Sequence, residues 1–156
     1  MLPERHALFG FLFCLLLYFF NFPVKALILI FIANIAIDID HYIIYGINKK
    51  SWNFLKAYRF FVNLVKLKKP GKFYLCIFHT IEFLLAFFIL AILLKSNYLF
   101  LIFIGFSFHT FVDFVDMLRI RKRFKENILV FFSCIARVIK RKNERKKKKA
   151  KAFKRR

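Results

Sequence analysis

The chain is poor in residues that break or staple a fold: 4 glycines, 3 prolines and 3 cysteines in 156 positions, with 8 acids set against 29 Lys and Arg. With so few glycines there is no Gly-rich loop to cradle phosphates, and no Ser/His/Asp signature of nucleophilic catalysis accompanies them. Cys14, Cys76 and Cys134 are odd in number, far apart and set singly in apolar sequence. They form neither a disulfide framework nor a Cys-rich zinc motif, and read as small apolar packing residues. The polar content is also too low for a soluble domain of this length, since 60% of the residues are hydrophobic and 25 are Phe.

Charge and apolarity are segregated along the chain. Residues 1–118 hold 11 Lys/Arg and 6 Asp/Glu, whereas residues 119–156 hold 18 and 2. The tail from Arg137 to Arg156 has too little apolar surface to offset the entropy of ordering and reads as disordered or transiently helical. Beside a membrane its partner is acidic lipid headgroups, at about 1 kcal/mol per basic residue near the surface. Nucleic acid, bound through phosphate contacts, is the alternative partner, but no recognition fold or aromatic platform accompanies the tail.

Four stretches approach the roughly 20 apolar residues that cross a bilayer, at about 6–22, 25–47, 73–94 and 97–118. The expected fold is therefore all-α: an integral membrane four-helix bundle over 1–118, then a basic juxtamembrane segment and tail over 119–156. The N-terminal run lacks a small-residue cleavage site, and Asn21-Phe22-Pro23 reads as a turn, so this segment is taken as a retained span. Lys and Arg crowd the segment between the second and third spans and the C-terminal tail, which places both termini on the cytoplasmic side of the cell membrane. In residues 51–69 polar and apolar positions alternate with helical period, which predicts an amphipathic interfacial helix capped by Ser51 and ended by Pro70-Gly71. The short apolar run 128–135 reads as a second interfacial helix.

Ionisable residues inside spans are costly and mark functional sites. All four histidines and five of the eight acids fall at or within the expected spans. Asp38 and His41, His79 and Glu82, and His109 and Asp113 each share a helix face by spacing, while His6 opens the first span. Asn34, one turn before Asp38, is placed to orient it. Asp40 points elsewhere on a regular helix, which implies either a supporting role or a distorted helix. At 1.5 Å per residue, His41 and His79 lie about 9 Å from the cytoplasmic ends of their spans, Asp113 about 8 Å and His109 about 14 Å. The antiparallel helices thus bring His and carboxylates into one cytoplasm-facing layer.

Neutral imidazoles and carboxylates are the ligands that zinc, manganese and iron accept, and facing helices of a bundle supply such sets. A divalent cation also relieves the repulsion among grouped acids. The expected ligands are His6, Asp38, His41, His79, Glu82, His109 and Asp113, with Asp40 as a ligand or as the acid/base that handles a water proton. Thr80 and Thr110 each follow a histidine and most simply bond back to their own helices. Three functions fit such residues: a metal-dependent hydrolase acting on a phosphoester such as a lipid headgroup, a metal or proton transporter, or a noncatalytic anchor working through its tail. The opposite halves of the spans (LFCLLLYFF, LLAFFILAILL, NYLFLIFI) contain no acid or histidine, which favours a one-sided site over a transport path.

The order of these motifs resembles the YdjM-like family of membrane-bound metal-dependent hydrolases. An early His follows Arg5 (RHALFG), an Asp-x-Asp-His motif spans Asp38 to His41, a third segment reads HTIE, and the last reads GFSFHTFVD. Ile37 stands where a Pro commonly precedes the Asp motif, and Ile77-Phe78 precede His79 in place of a His-Arg pair. The resemblance implies a helical membrane protein whose metal site is related in pattern to zinc-dependent phospholipases C and single-strand nucleases, which hold several zincs and cleave phosphoesters.

Overall fold

A computed structural model describes residues 3–66, 76–124, 132–140 and 142–143. Every regular element among them is helical: α1 (Pro3–Phe19), α2 (Val24–Ala36), α3 (Ile39–Lys49), α4 (Phe54–Lys66), α5 (Ile81–Leu93), α6 (Asn97–Phe124) and a helical segment over 134–140. α1 ends where Asn21 takes a left-handed φ of 60° and the Phe22 N–H returns to the Leu17 carbonyl at 3.2 Å. Asn tolerates that conformation, and Pro23 then opens α2. At the other tight turn Lys95 takes a φ of 47°, and Ser96 Oγ accepts the Leu99 N–H to start α6.

α6 is the central element, packing most extensively on α2 and also on α5 and α1. Close approach depends on two glycines. A Cβ at Gly105 would lie 2.5 Å from the Ile30 carbonyl oxygen and 2.8 Å from Ala33 Cβ, and one at Gly10 would lie 2.3 Å from Asn34 Nδ2. Small residues that let backbones approach are how helices associate when lipid replaces water outside them. Ile30, Ala33 and Ile37 fill the seam, and Phe13 stacks on Phe108 at 4.0 Å between α1 and α6. The outward faces are apolar as well: Leu8, Phe11, Ile28, Ile32, Leu85, Ile92 and Phe111 are each more than half exposed.

Two helical runs, Val24–Lys49 and Asn97–Arg119, are long and apolar enough to cross a membrane. α1 has 17 residues and α5 only 13, so neither reaches the roughly 20 of a full span. The expected third span over 73–94 is corrected in part, because residues 76–80 form an irregular turn that leads into α5, while 73–75 lie outside the described residues. Thr80 caps α5, accepting the Phe83 N–H at 3.3 Å, and donates to the Ile77 carbonyl at 2.7 Å.

The expected second span is bent at Ile37-Asp38, which divides α2 from α3. Around the bend the Asp38 N–H reaches the Ile35 carbonyl at 3.3 Å and the His41 N–H reaches the Asp38 carbonyl at 3.1 Å. These tightened i to i−3 bonds rotate the following residues relative to a regular α-helix. The helix expected over 51–69 is present as α4, but Asn53 caps it in place of Ser51, its Oδ1 accepting the Lys56 N–H at 2.9 Å. Tyr58 on α4 donates to Glu4 at 2.6 Å, tying α4 to the start of α1. That carboxylate holds the Tyr58 phenol above its ordinary range. Residues 134–140 are helical where the composition suggested disorder from Arg137 onward. The expected Pro70-Gly71 stop, the first part of the 128–135 run and the tail beyond 143 lie outside the described residues.

Candidate metal centre

All four histidines converge at one place on α6. His109, fully buried in the middle of α6, stacks on His6 of α1 with ring centroids 4.0 Å apart, and His79 meets it edge-on at 5.1 Å. His41 of α3 in turn meets His79 at 4.9 Å. The bend at Asp38, the turn before α5 and the packing of α1 on α2 are what bring these rings together.

The rings of His41, His79 and His109 are each held by an acceptor at Nδ1. His109 Nδ1 donates to the Asn34 backbone carbonyl at 2.7 Å. His79 Nδ1 donates to Asp40 Oδ2 at 3.1 Å, and His41 Nδ1 to Asp40 Oδ1 at 2.8 Å. A carbonyl or an ionised carboxylate only accepts, so the Nδ1 atoms of His109, His79 and His41 carry N–H groups, and a neutral ring then presents its Nε2 lone pair. His79 Nε2 and His109 Nε2 face each other at 3.2 Å. A contact of that length holds either a proton shared between the two rings or a metal ion bound to both.

The carboxylates complete the geometry. Asp38 Oδ1 lies 3.4 Å from His79 Nε2 and 3.5 Å from His109 Nε2. Asp113 Oδ2 lies 3.8 and 3.7 Å from the same nitrogens. Ligands held about 2.1 Å from a tetrahedral ion are separated by about 3.4 Å, so these atoms are spaced as metal ligands are. Asp113 Oδ1 also accepts from His6 Nε2 at 3.1 Å, and His6 Nδ1 is buried without a hydrogen-bond partner. Three overlapping sets, Asp38/His79/His109, His6/His109/Asp113 and Asp40/His41/Cys76/His79, each keep their ligand atoms within 4.8 Å of one another. The residues present fit a divalent ion: imidazole and carboxylate donors, rings held by acceptors behind them, and an orphaned buried nitrogen.

His6, Asp38, His41, His79, His109 and Asp113 are thus gathered as their spacing suggested. Glu82 is not among them. His79 lies in the turn before the Thr80 cap, so a three-residue step from it does not stay on one helix face. The Glu82 carboxylate instead accepts from Ser133 Oγ at 2.5 Å and from the N–H groups of Cys134 at 3.2 Å and Ile135 at 3.3 Å. Ser133 Oγ takes the Ala136 N–H at 3.1 Å, and the two side chains together cap the 134–140 helix.

Asp40 is buried at the centre of the set, and the bend is what turns it there. Its oxygens serve His41, His79 and the Phe78 N–H at 3.1 Å, which makes it a group that orients two rings and leaves it little capacity to shuttle a proton. Asn34 does not orient Asp38: its side chain donates to the His6 carbonyl at 3.2 Å. Thr110 bonds back to Phe106 at 3.0 Å as expected. Sequence reasoning missed Cys76, whose only signal is its position three residues before His79.

No family model matches the chain, and no curated protein or solved structure is detectably similar to it.

Proposed function

We propose that the chain is a membrane-embedded metal-dependent hydrolase that acts on a phosphoester, such as a lipid headgroup, from the cytoplasmic leaflet. The observation that carries the proposal is the pair of Nε2 atoms of His79 and His109, 3.2 Å apart and flanked by Asp38 and Asp113 at ligand-pair distances. A divalent ion held by these four residues, with His6 beside them, would polarise a phosphoester oxygen and activate water for attack on it. Zinc suits this donor set, and manganese and iron accept the same atoms.

The protein's own groups have separable tasks. Asp40 and the Asn34 carbonyl hold the His79 and His109 rings so that their Nε2 atoms converge. Asp38 is the most exposed of the three carboxylates, with its side chain 33% exposed against 6% for Asp40 and 18% for Asp113, and so lines the edge that substrate would approach. His6 and His109 are buried and stack on each other.

The exposed apolar faces of α1, α2, α5 and α6 support a lipid environment, because a water-facing surface of that kind would drive association. In this reading the four apolar segments form the membrane domain. The basic residues flanking α4 and following α6 keep those segments and both termini cytoplasmic, where the tail meets anionic headgroups. The motif order shared with YdjM-like hydrolases points to the same activity.

The activity is tested with full-length protein in proteoliposomes, stripped by chelator and reloaded separately with zinc, manganese and iron, against phosphodiester and phospholipid substrates. Hydrolysis restored by one of these metals and absent from His109→Ala is the expected result. Metal-loaded protein that hydrolyses neither substrate faster than His109→Ala contradicts the reading.

A further inference from the structure

Cys76 Sγ lies 3.5 Å from His41 Nε2. The opposite ring nitrogen of His41 is committed to Asp40 at 2.8 Å, so a neutral His41 turns its lone pair to the sulfur. A metal about 2.3 Å from sulfur and about 2.0–2.1 Å from an imidazole nitrogen, with tetrahedral angles, sets those two atoms about 3.6 Å apart. The spacing of Cys76 and His41 is therefore that of a ligand pair. Asp40 and His79 lie against the pair, all four residues offering one ligand-type atom within 4.8 Å of the others.

The Phe61 ring of α4 meets His41 edge-on at 4.9 Å. Cys14 and Cys134, by contrast, belong to no such set among the described residues.

We propose that Cys76 and His41 ligate a second metal ion, beside the position held by His79, His109 and Asp38, with Asp40 holding the His41 ring from behind through Nδ1. The proposal rests on the metallohydrolase reading and deepens it. The centre would hold two ions, one of them bound through a soft thiolate. Such a position prefers zinc to manganese or magnesium.

The test uses full-length, detergent-purified protein, stripped by chelator and titrated with cobalt(II) under anaerobic conditions. The expected result is an intense near-ultraviolet sulfur-to-cobalt charge-transfer band together with the visible ligand-field bands. Cys76→Ser should lose the ultraviolet band, keep the visible ones and bind about half as much cobalt, while Cys14→Ser and Cys134→Ser behave as wild type. Zinc-edge X-ray absorption on the wild type reads the same point without any variant, expecting a sulfur scatterer at about 2.3 Å. Bound metal with neither the charge-transfer band nor the sulfur scatterer overturns the role of Cys76 while leaving the His79/His109 position standing. Folded protein that binds no metal overturns both readings.

Discussion

His79 and His109 present their Nε2 atoms to each other at 3.2 Å while the Nδ1 atom of each is held from behind, one by Asp40 and the other by the Asn34 carbonyl. Neither ring can turn its N–H toward the other without giving up a buried acceptor. A cation shared between the two Nε2 atoms, a metal ion or a proton, satisfies both at once. That is the physical core of the metal-centre proposal, and the supporting groups are as open to test as the ligands.

Asp40 is the first such group. Asp40→Asn keeps the shape of the side chain but replaces a charged double acceptor by an amide with one acceptor oxygen, so His41 and His79 cannot both keep their Nδ1 contacts. Metal affinity should fall by about 10- to 100-fold, the range for losing a group that orients a ligand. Competition with a chelator of known affinity measures this. Unchanged affinity would show that Asp40 does not set the rings.

Glu82 separates the structural account from the expectation raised by spacing. Glu82→Ala should retain bound metal at the wild-type level and release the 134–140 helix, seen as faster hydrogen exchange at the amides of Cys134, Ile135 and Ala136. The helix loses a charge-assisted contact and two amide acceptors, each worth about 1.5–3 kcal/mol when charged. Loss of metal with no change in exchange would restore Glu82 to the ligand set.

Gly105 sits one turn before His109, where α6 meets α2. The Cβ of Gly105→Ala would lie 2.5 Å from the Ile30 carbonyl oxygen, so the helices must part. Overpacking of this kind costs about 1–3 kcal/mol. The displacement also lengthens the His109 to Asn34 bond, so both the thermal midpoint in detergent and metal retention should drop. A variant that matches wild type in both would show that the seam does not position His109.

Much of this site is legible in the sequence because depth and helical spacing act on it together. His6, His41, His79, His109, Asp38 and Asp113 fall in one layer if the apolar runs alternate in direction, and the folded chain gathers those six. What escapes is whatever depends on where a helix is broken. Asp40 faces away from its neighbours on a regular helix and reaches the cluster because the chain bends at Ile37-Asp38. The pairing of Glu82 with His79 assumes a helix that in fact starts only after Thr80. Cys76 carries no periodic signal, and its position three residues before His79 has meaning only once the intervening turn is known. The Ser51 cap fails by a subtler route: Ser51 and Asn53 are both good caps, and only the folded chain shows that Asn53 is placed to accept the Lys56 N–H.

The most direct test is elemental analysis of full-length protein purified in detergent, comparing wild type with His79→Ala and His109→Ala after confirming that all three are folded. The account predicts near-stoichiometric zinc, manganese or iron in the wild type and its loss from both variants. A folded wild type that stays metal-free after reconstitution with each of these ions would contradict it, leaving the paired imidazoles to share a proton as a contact that assembles the helices.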